Sequence, residues 1–402
     1  MAWQMVQAAS GVAPLSAAEL ARARQYLYGG IAWSVASEFW MLALLAAAYF
    51  SGVTARFRTW LEKAISHQPS AISRHSASAS AVTALATAAL FTVILGLLLP
   101  FDFYISYHRE RVFGFQHLAM GAWFGQWVTA LVLTVVVGVM VASIGYAWVR
   151  KRGGPRWWVK FWIVVSVAVV LAVAIDPLVI APLFNQFTVV QNPEIRADIE
   201  ALARKAGIPH AAILEMNASH DSAHANAYVV GILGSQRIVV YDTLLREETP
   251  AEIEFTVSHE IGHYVLHHLW KGIVFTIGLL FVLFAMLGWW FPRWAAIAKG
   301  DSPADPAALP LILLILLGLL FLASPATNGF SRWEEHQADA FGIRLSQKPR
   351  AAVSGFEKEE HTDLIYPDPP GWMVWFFFNH PSQQARINFS LNQIPQYGSR
   401  RR

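Results

Sequence analysis

The strongest constraint on this chain is a set of apolar runs, each near the roughly 20 residues that a helix needs to cross a bilayer. Six stretches qualify, at about Gly30–Phe50, Val82–Pro100, Met120–Val149, Trp158–Phe184, Gly272–Phe291 and Ala308–Ala326. The third and fourth are long enough to tilt or to project beyond the bilayer. Trp157-Trp158 and Trp289-Trp290 fall at span ends, where interfacial aromatics belong. Composition agrees: of 402 residues, 55% are hydrophobic and only 14% charged, against roughly 25% charged in a soluble domain. Lipid must therefore solvate much of the surface. The net charge of +3 is small, and Lys and Arg cluster between apolar runs, a pattern of membrane topology rather than nucleic-acid binding. The chain has no cysteine, which excludes disulfides, thiolate metal sites and cysteine nucleophiles. The start, MAWQMVQAASGVAPLS, has no charged segment leading into an apolar core, so no cleaved signal peptide is expected.

Between the fourth and fifth spans, about Thr188–Lys271 reads as a polar insert. Pro193–Ala206 predicts an amphipathic helix with Ile195, Ile199, Leu202 and Ala203 on one face. Ala211–Met216, Ala225–Val230 and Arg237–Tyr241 predict strands, with Gly231–Gly234 as a hairpin candidate. A helix is expected from Pro250, capped by Thr249 and running straight into the fifth span. After the sixth span, Ser331–Leu345 predicts a helix; Tyr366–Pro370 is a rigid non-helical stretch, followed by the aromatic run Trp372–Phe378.

That expected helix carries His259-Glu260-Ile261-Gly262-His263, an H-E-x-x-H sequence. Residues at i and i+4 share a helix face, so both imidazoles can reach one metal ion. Glu260 sits beside the first ligand and can reach a metal-activated water without ligating the metal itself. The bland reading is a helix whose histidines are polar positions near an interface, and His267 and His268, which follow at once, suit it. A catalytic zinc also needs a third protein ligand and an open position. Six residues past the second histidine stands Leu269, so an extended three-histidine pattern fails. Glu335 is the best third candidate, with His336 its rival; Asp339 lies one turn on and shares the Glu335 face. An acid there can orient a ligand or donate a proton.

Asn328-Gly-Phe-Ser331-Arg332-Trp-Glu-Glu335-His-Gln-Ala338-Asp339 resembles the N-x-x-S-R-x-x-E-x-x-A-D pattern of the type I CAAX prenyl proteases. Pro182-Leu-Phe-Asn185-Gln-Phe187-Thr188, Asn226-Ala-Tyr228, Asp242-Thr-Leu-Leu245 and His380-Pro381 with Arg386-Ile387 resemble further motifs of that family, in the same order. The resemblance implies one zinc per chain on His259, His263 and Glu335, Glu260 as general base, and Asp339 as a supporting acid. It also implies Asn226 and Tyr228 on an edge strand that pairs with extended substrate, and His380 and Arg386 at the oxyanion or substrate backbone. Simple docking of the tail is the other reading of His380 and Arg386.

The fold expected is mainly α and polytopic, a barrel of about six helices (seven in eukaryotic members) around a chamber, with a small α+β metalloprotease domain. Residues 1–187 would form the N-terminal membrane domain and 188–402 the metallopeptidase domain. The function expected is a zinc metalloendopeptidase of a bacterial cytoplasmic membrane that processes prenylated peptides. The alternatives are a membrane-protein quality-control protease with no prenyl requirement and a non-catalytic membrane scaffold; the partners are a peptide or protein substrate and lipid, not nucleic acid. Family likeness places the zinc on the cytosolic side. The excess of Lys and Arg at the opposite end, among them Arg56, Arg58, Lys63, Arg150, Lys151 and Arg152, argues for the reverse. Glu38 and Asp176 lie within spans and are expected to face the interior.

Overall fold

The structure is a computed structural model and describes residues 11–66, 74–152, 154–231, 236–297 and 302–398. A Ser16–Glu19 capping box starts helix α1 (Ala17–Phe50). Next come α2 (Val53–Ser66), α3 (Arg74–Phe103), α4 (Arg109–Phe113), α5 (Met120–Lys151), α6 (Trp157–Ile175) and the single turn α7 (Ala181–Phe184). π-helical turns at Tyr104–His108 and Asp176–Ile180 join α3 to α4 and α6 to α7. Among the described residues, five helical stretches are long and apolar enough to cross a bilayer, or six if a bent pair is taken as one span. Along α5, Val132, Val136 and Met140 point outward at about half exposure. The spacing of four puts them on one stripe, the face that lipid covers.

The polar insert begins with β1 (Phe187–Val189), α8 (Pro193–Lys205) and β2 (Ala212–Met216). It continues through β3 (Ala227–Val230), β4 (Arg237–Tyr241), α9 (Asp242–Glu247) and α10 (Pro250–Val265). Asn192 caps α8, and its predicted face of Ile195, Ile199, Leu202 and Ala203 is buried. The sheet order is β1-β2-β4-β3, with β2 parallel to β4 and both outer strands antiparallel. β3 is therefore an edge strand. Ile199, Ile238, Val240, Val257 and Ile261 form one core between α8, the sheet and α10. The hairpin candidate runs into residues 232–235, which lie outside the described residues.

The chain then forms α11 (His268–Ile297), α12 (Leu309–Leu322), α13 (Ser324–Ser346), α14 (Pro349–Thr362), α15 (Gly371–Phe377) and α16 (Gln383–Gly398). One expectation is corrected here. The helix begun at Pro250 does not run straight into the fifth span: it ends at Val265, and His267 adopts a left-handed φ of 59° before α11 starts. After the fifth span the chain bends again, α12 and α13 meeting at 48°. Pro325, at the start of α13, cannot donate to the preceding turn and clashes with it. Glu38 is half-buried and Asp176, at the first position of a π turn, is exposed. Neither lines the large cavity described below.

Helix α10 packs most closely on α13. Gly342 makes this approach possible: a Cβ built there would lie 3.0 Å from the His259 backbone nitrogen and 3.1 Å from its Cα. The two nearest atoms are backbone, which cannot swing aside, so the two helices would have to separate. We expect Gly342→Ala to cost about 1–3 kcal/mol, read as a lower thermal midpoint in detergent. Gly318→Ala, where nothing lies within 4 Å, should stay near the parent.

Candidate active site

Thr249 and Glu252 form a capping box at the start of α10. The same Glu252 accepts from Ser354 and Lys358 on α14, which ties the helix start to the tail. Two turns of α10 beyond Glu252, His259 and His263 project toward α13. Their Nε2 atoms lie 3.1 Å apart. Glu335 of α13 comes within 3.3 Å of the His259 Nε2 through one carboxylate oxygen and within 3.5 Å of the His263 Nε2 through the other. Ligands 2.0–2.2 Å from a tetrahedral zinc sit roughly 3.3–3.5 Å from one another, so the three groups are spaced as a metal would space them. One Glu335 oxygen is buried without a hydrogen-bond partner, which a cation would supply. Among the described residues, these three form the group that could hold a metal ion.

The supporting shell is equally specific. Asp339, almost fully buried, has one carboxylate oxygen 2.9 Å from the His259 Nδ1. Arg386 of α16 donates to both Asp339 oxygens, at 3.0 and 2.6 Å, a bidentate pair that fixes the carboxylate. Its guanidinium also lies over the Phe356 ring, 4.1 Å from the centroid. His380 places its Nε2 3.2 Å from a Glu335 oxygen. The tail carrying His380 is held from α13: Arg332 donates to the carbonyls of Val374 and Phe378, and Asn328 to that of Phe376. Glu260 lines the cavity beside His259, with an oxygen 3.9 Å from the His259 Nε2. Burial pushes its carboxyl up to about 7.

The cavity over this site measures about 720 Å³. Asn226, Glu260, His380 and Arg386 share its lining with Phe255, Phe356 and Phe378. Its far wall belongs to α1 and α4, through Tyr26, Leu27, Gly30, Ile31, Ser34 and Arg109. Tyr228 lies on the same strand as Asn226's neighbour Ala227 but outside the lining, edge-on to Tyr241. His336, the rival third ligand, instead packs edge-on against Phe389.

The sequence reading missed His224. Its Nδ1 meets Asp363, its Nε2 lies 3.4 Å from Glu110, and its ring stacks on Phe115. It thus joins α4, the approach to β3 and the loop after α14. Only its place two residues before Asn226 hinted at a role. Burial alone would lower its pKa, but the carboxylates of Asp363 and Glu110 outweigh burial and hold it at about 9.

Fold and site together define a polytopic membrane metallopeptidase. The chain belongs to peptidase family M48: residues 190–393 match the profile described as "Peptidase family M48". Residues 8–186 match one described as "CAAX prenyl protease N-terminal, five membrane helices". It is 30% identical over 341 residues to the uncharacterized metalloprotease YhfN of Bacillus subtilis, across 84% of this chain and 77% of that protein. It is 28% identical over 320 residues to the CAAX prenyl protease 1 homolog of Caenorhabditis elegans, across 72% of each. The crystal structure of S. mikatae Ste24p shares the fold, with a TM-score of 0.75 at 22% identity, over 94% of this chain and 89% of that one.

The His224 clasp gives a prediction with a definite sign. A histidine raised from 6.5 to about 9 on folding contributes stability that is fully present below pH 6.5. That contribution is lost as pH rises through 9. Thermal midpoints measured from pH 6 to 9.5 should fall more steeply for the parent than for His224→Asn. Parallel curves would mean the clasp carries no charge.

Proposed function

We propose that this protein is an integral-membrane zinc endopeptidase that cuts peptides bearing a C-terminal prenyl group. The observation that carries the zinc assignment is the 3.1–3.5 Å spacing of His259, His263 and Glu335 around one point. Two nitrogens and a carboxylate suit zinc, and three protein ligands leave an open position. When bound there, zinc supplies Lewis acidity and brings the pKa of a coordinated water down to about 7.

The chain's own residues do the rest. Glu260, next to the first histidine and on the cavity wall, takes the proton of the attacking water and passes it to the leaving amine. Its raised value of about 7 would be drawn down again by a neighbouring dication. Asp339 holds the His259 Nδ1–H and so keeps Nε2 free to ligate, while Arg386 fixes Asp339 and lines the cavity as well. His380, beside Glu335 at the cavity, donates to the oxyanion as it forms. Substrate enters extended, pairing with the free edge of β3 near Asn226 and Tyr228.

Relatives named CAAX prenyl protease 1 support the prenyl-peptide substrate. The Bacillus relative supports a bacterial cytoplasmic membrane as the location. The test is made on purified full-length protein. Metal analysis should give about one zinc per chain. Glu260→Gln should keep that zinc and lower cleavage of a fluorogenic peptide by at least about 100-fold, the lower end for loss of a positioned base. A Glu335→Ala variant that still binds zinc as tightly would end the ligand assignment. Farnesylated peptide should be cut faster than its unmodified twin. Equal rates would instead favour surveillance of damaged membrane proteins.

A further inference from the structure

Two histidines follow the metal motif, and the mechanism above uses neither. His267 is exposed, whereas His268 is 3% exposed and begins the membrane helix α11. The His268 Nδ1 lies 3.0 Å from the His263 Nδ1, with the ring planes 78° apart. This contact is on the far side of the His263 ring from Nε2, the atom nearest Glu335. His268 is therefore not placed to be a fourth ligand. It is placed to hold the third position of a chain running from metal to imidazole to acceptor.

The backbone is bent to make this contact. In an unbroken helix each residue turns about 100°, so a residue five places beyond His263 would sit roughly 140° around the axis from it. The break removes that separation. Leu266 donates to the Gly262 carbonyl, His267 to that of Tyr264, and the next helix starts with Lys271 donating to His267. His267 turns the corner at φ 59°, a conformation that a residue with a Cβ adopts only against resistance. A strained residue held next to a metal motif suggests that the surrounding structure needs the corner.

We infer that His268 is the positioning residue of His263, as Asp339 is of His259. Two unprotonated nitrogens 3 Å apart would repel. With Nε2 reserved for the metal, the His263 proton sits on Nδ1 and is donated to the His268 Nδ1. His268 then carries its own proton on Nε2, which is buried. One ligand is thus steadied by an anion and the other by a neutral ring. The neutral partner holds the ring and its tautomer without adding a second buried charge at the site.

This inference rests on the zinc assignment, and the test separates the two. Zinc affinity is measured by chelator competition on the full-length protein in detergent, with the visible spectrum of the cobalt-substituted form as a second readout. His268→Asn keeps an acceptor at the place of Nδ1 and should bind zinc within about threefold of the parent. His268→Gln, which moves the acceptor to the place of Nε2, and His268→Phe should both bind about 10- to 100-fold more weakly, the usual cost of losing such a partner. Their cobalt bands should shift, and their metal-free thermal midpoints should stay near the parent. Affinity in His268→Gln equal to that of the parent would overturn the inference, as would equal losses in His268→Asn and His268→Gln. His263→Ala should lose tight binding altogether; if it does not, the ligand assignment itself is wrong.

Discussion

The structure depends on one unfavourable meeting. Two imidazole lone pairs and a carboxylate are brought within 3.1–3.5 Å of each other, with His259 and Glu335 buried. Left alone, such groups repel and one oxygen stays unpaired. The close packing of α10 on α13 forces them together, and that packing needs the bare backbone at Gly342. Asp339 and Arg386 then fix the far side of His259, and the Arg332 and Asn328 clamps fix the tail with His380. Asn328, Arg332, Glu335 and Asp339 all come from α13, and Arg386 from α16. One helix therefore sets both acids and the position of the tail.

The membrane helices serve this arrangement by being irregular. α3 and α6 both pass through π turns, and the last span bends at Pro325. Straight helices would pack side by side and leave little room between them. Breaks at these points suit a barrel that keeps a chamber of about 720 Å³ beside its apolar core. The cost of exposing backbone is met locally, as where Asn185 donates back to Ala181 after α7.

What could be read from the residues follows from how local the signal is. The spans were legible because about 20 apolar residues have few other uses. The α8 face at Ile195, Ile199, Leu202 and Ala203 and the capped start of α10 at Thr249 were legible because helical periodicity and capping are short-range. Glu335 was preferred to His336 from the residues, with Asp339 on its face, and the motif match strengthened that choice, since no local rule says which helix will cross α10. The corner at His267 was not legible. Nothing in a histidine announces a positive φ, so an unbroken helix was the natural expectation. The His224 clasp joins positions 114 and 139 residues apart, and composition gives no hint of such pairs.

The chamber's lining is drawn from both ends of the chain: Tyr26, Gly30 and Ser34 from the first membrane helix, and Phe378, His380 and Arg386 from the last segments. Neither portion encloses anything by itself. A fragment lacking the first helix would keep its ligands yet lose the far wall of the chamber, leaving the site open on the side where Tyr26, Gly30 and Ser34 now stand.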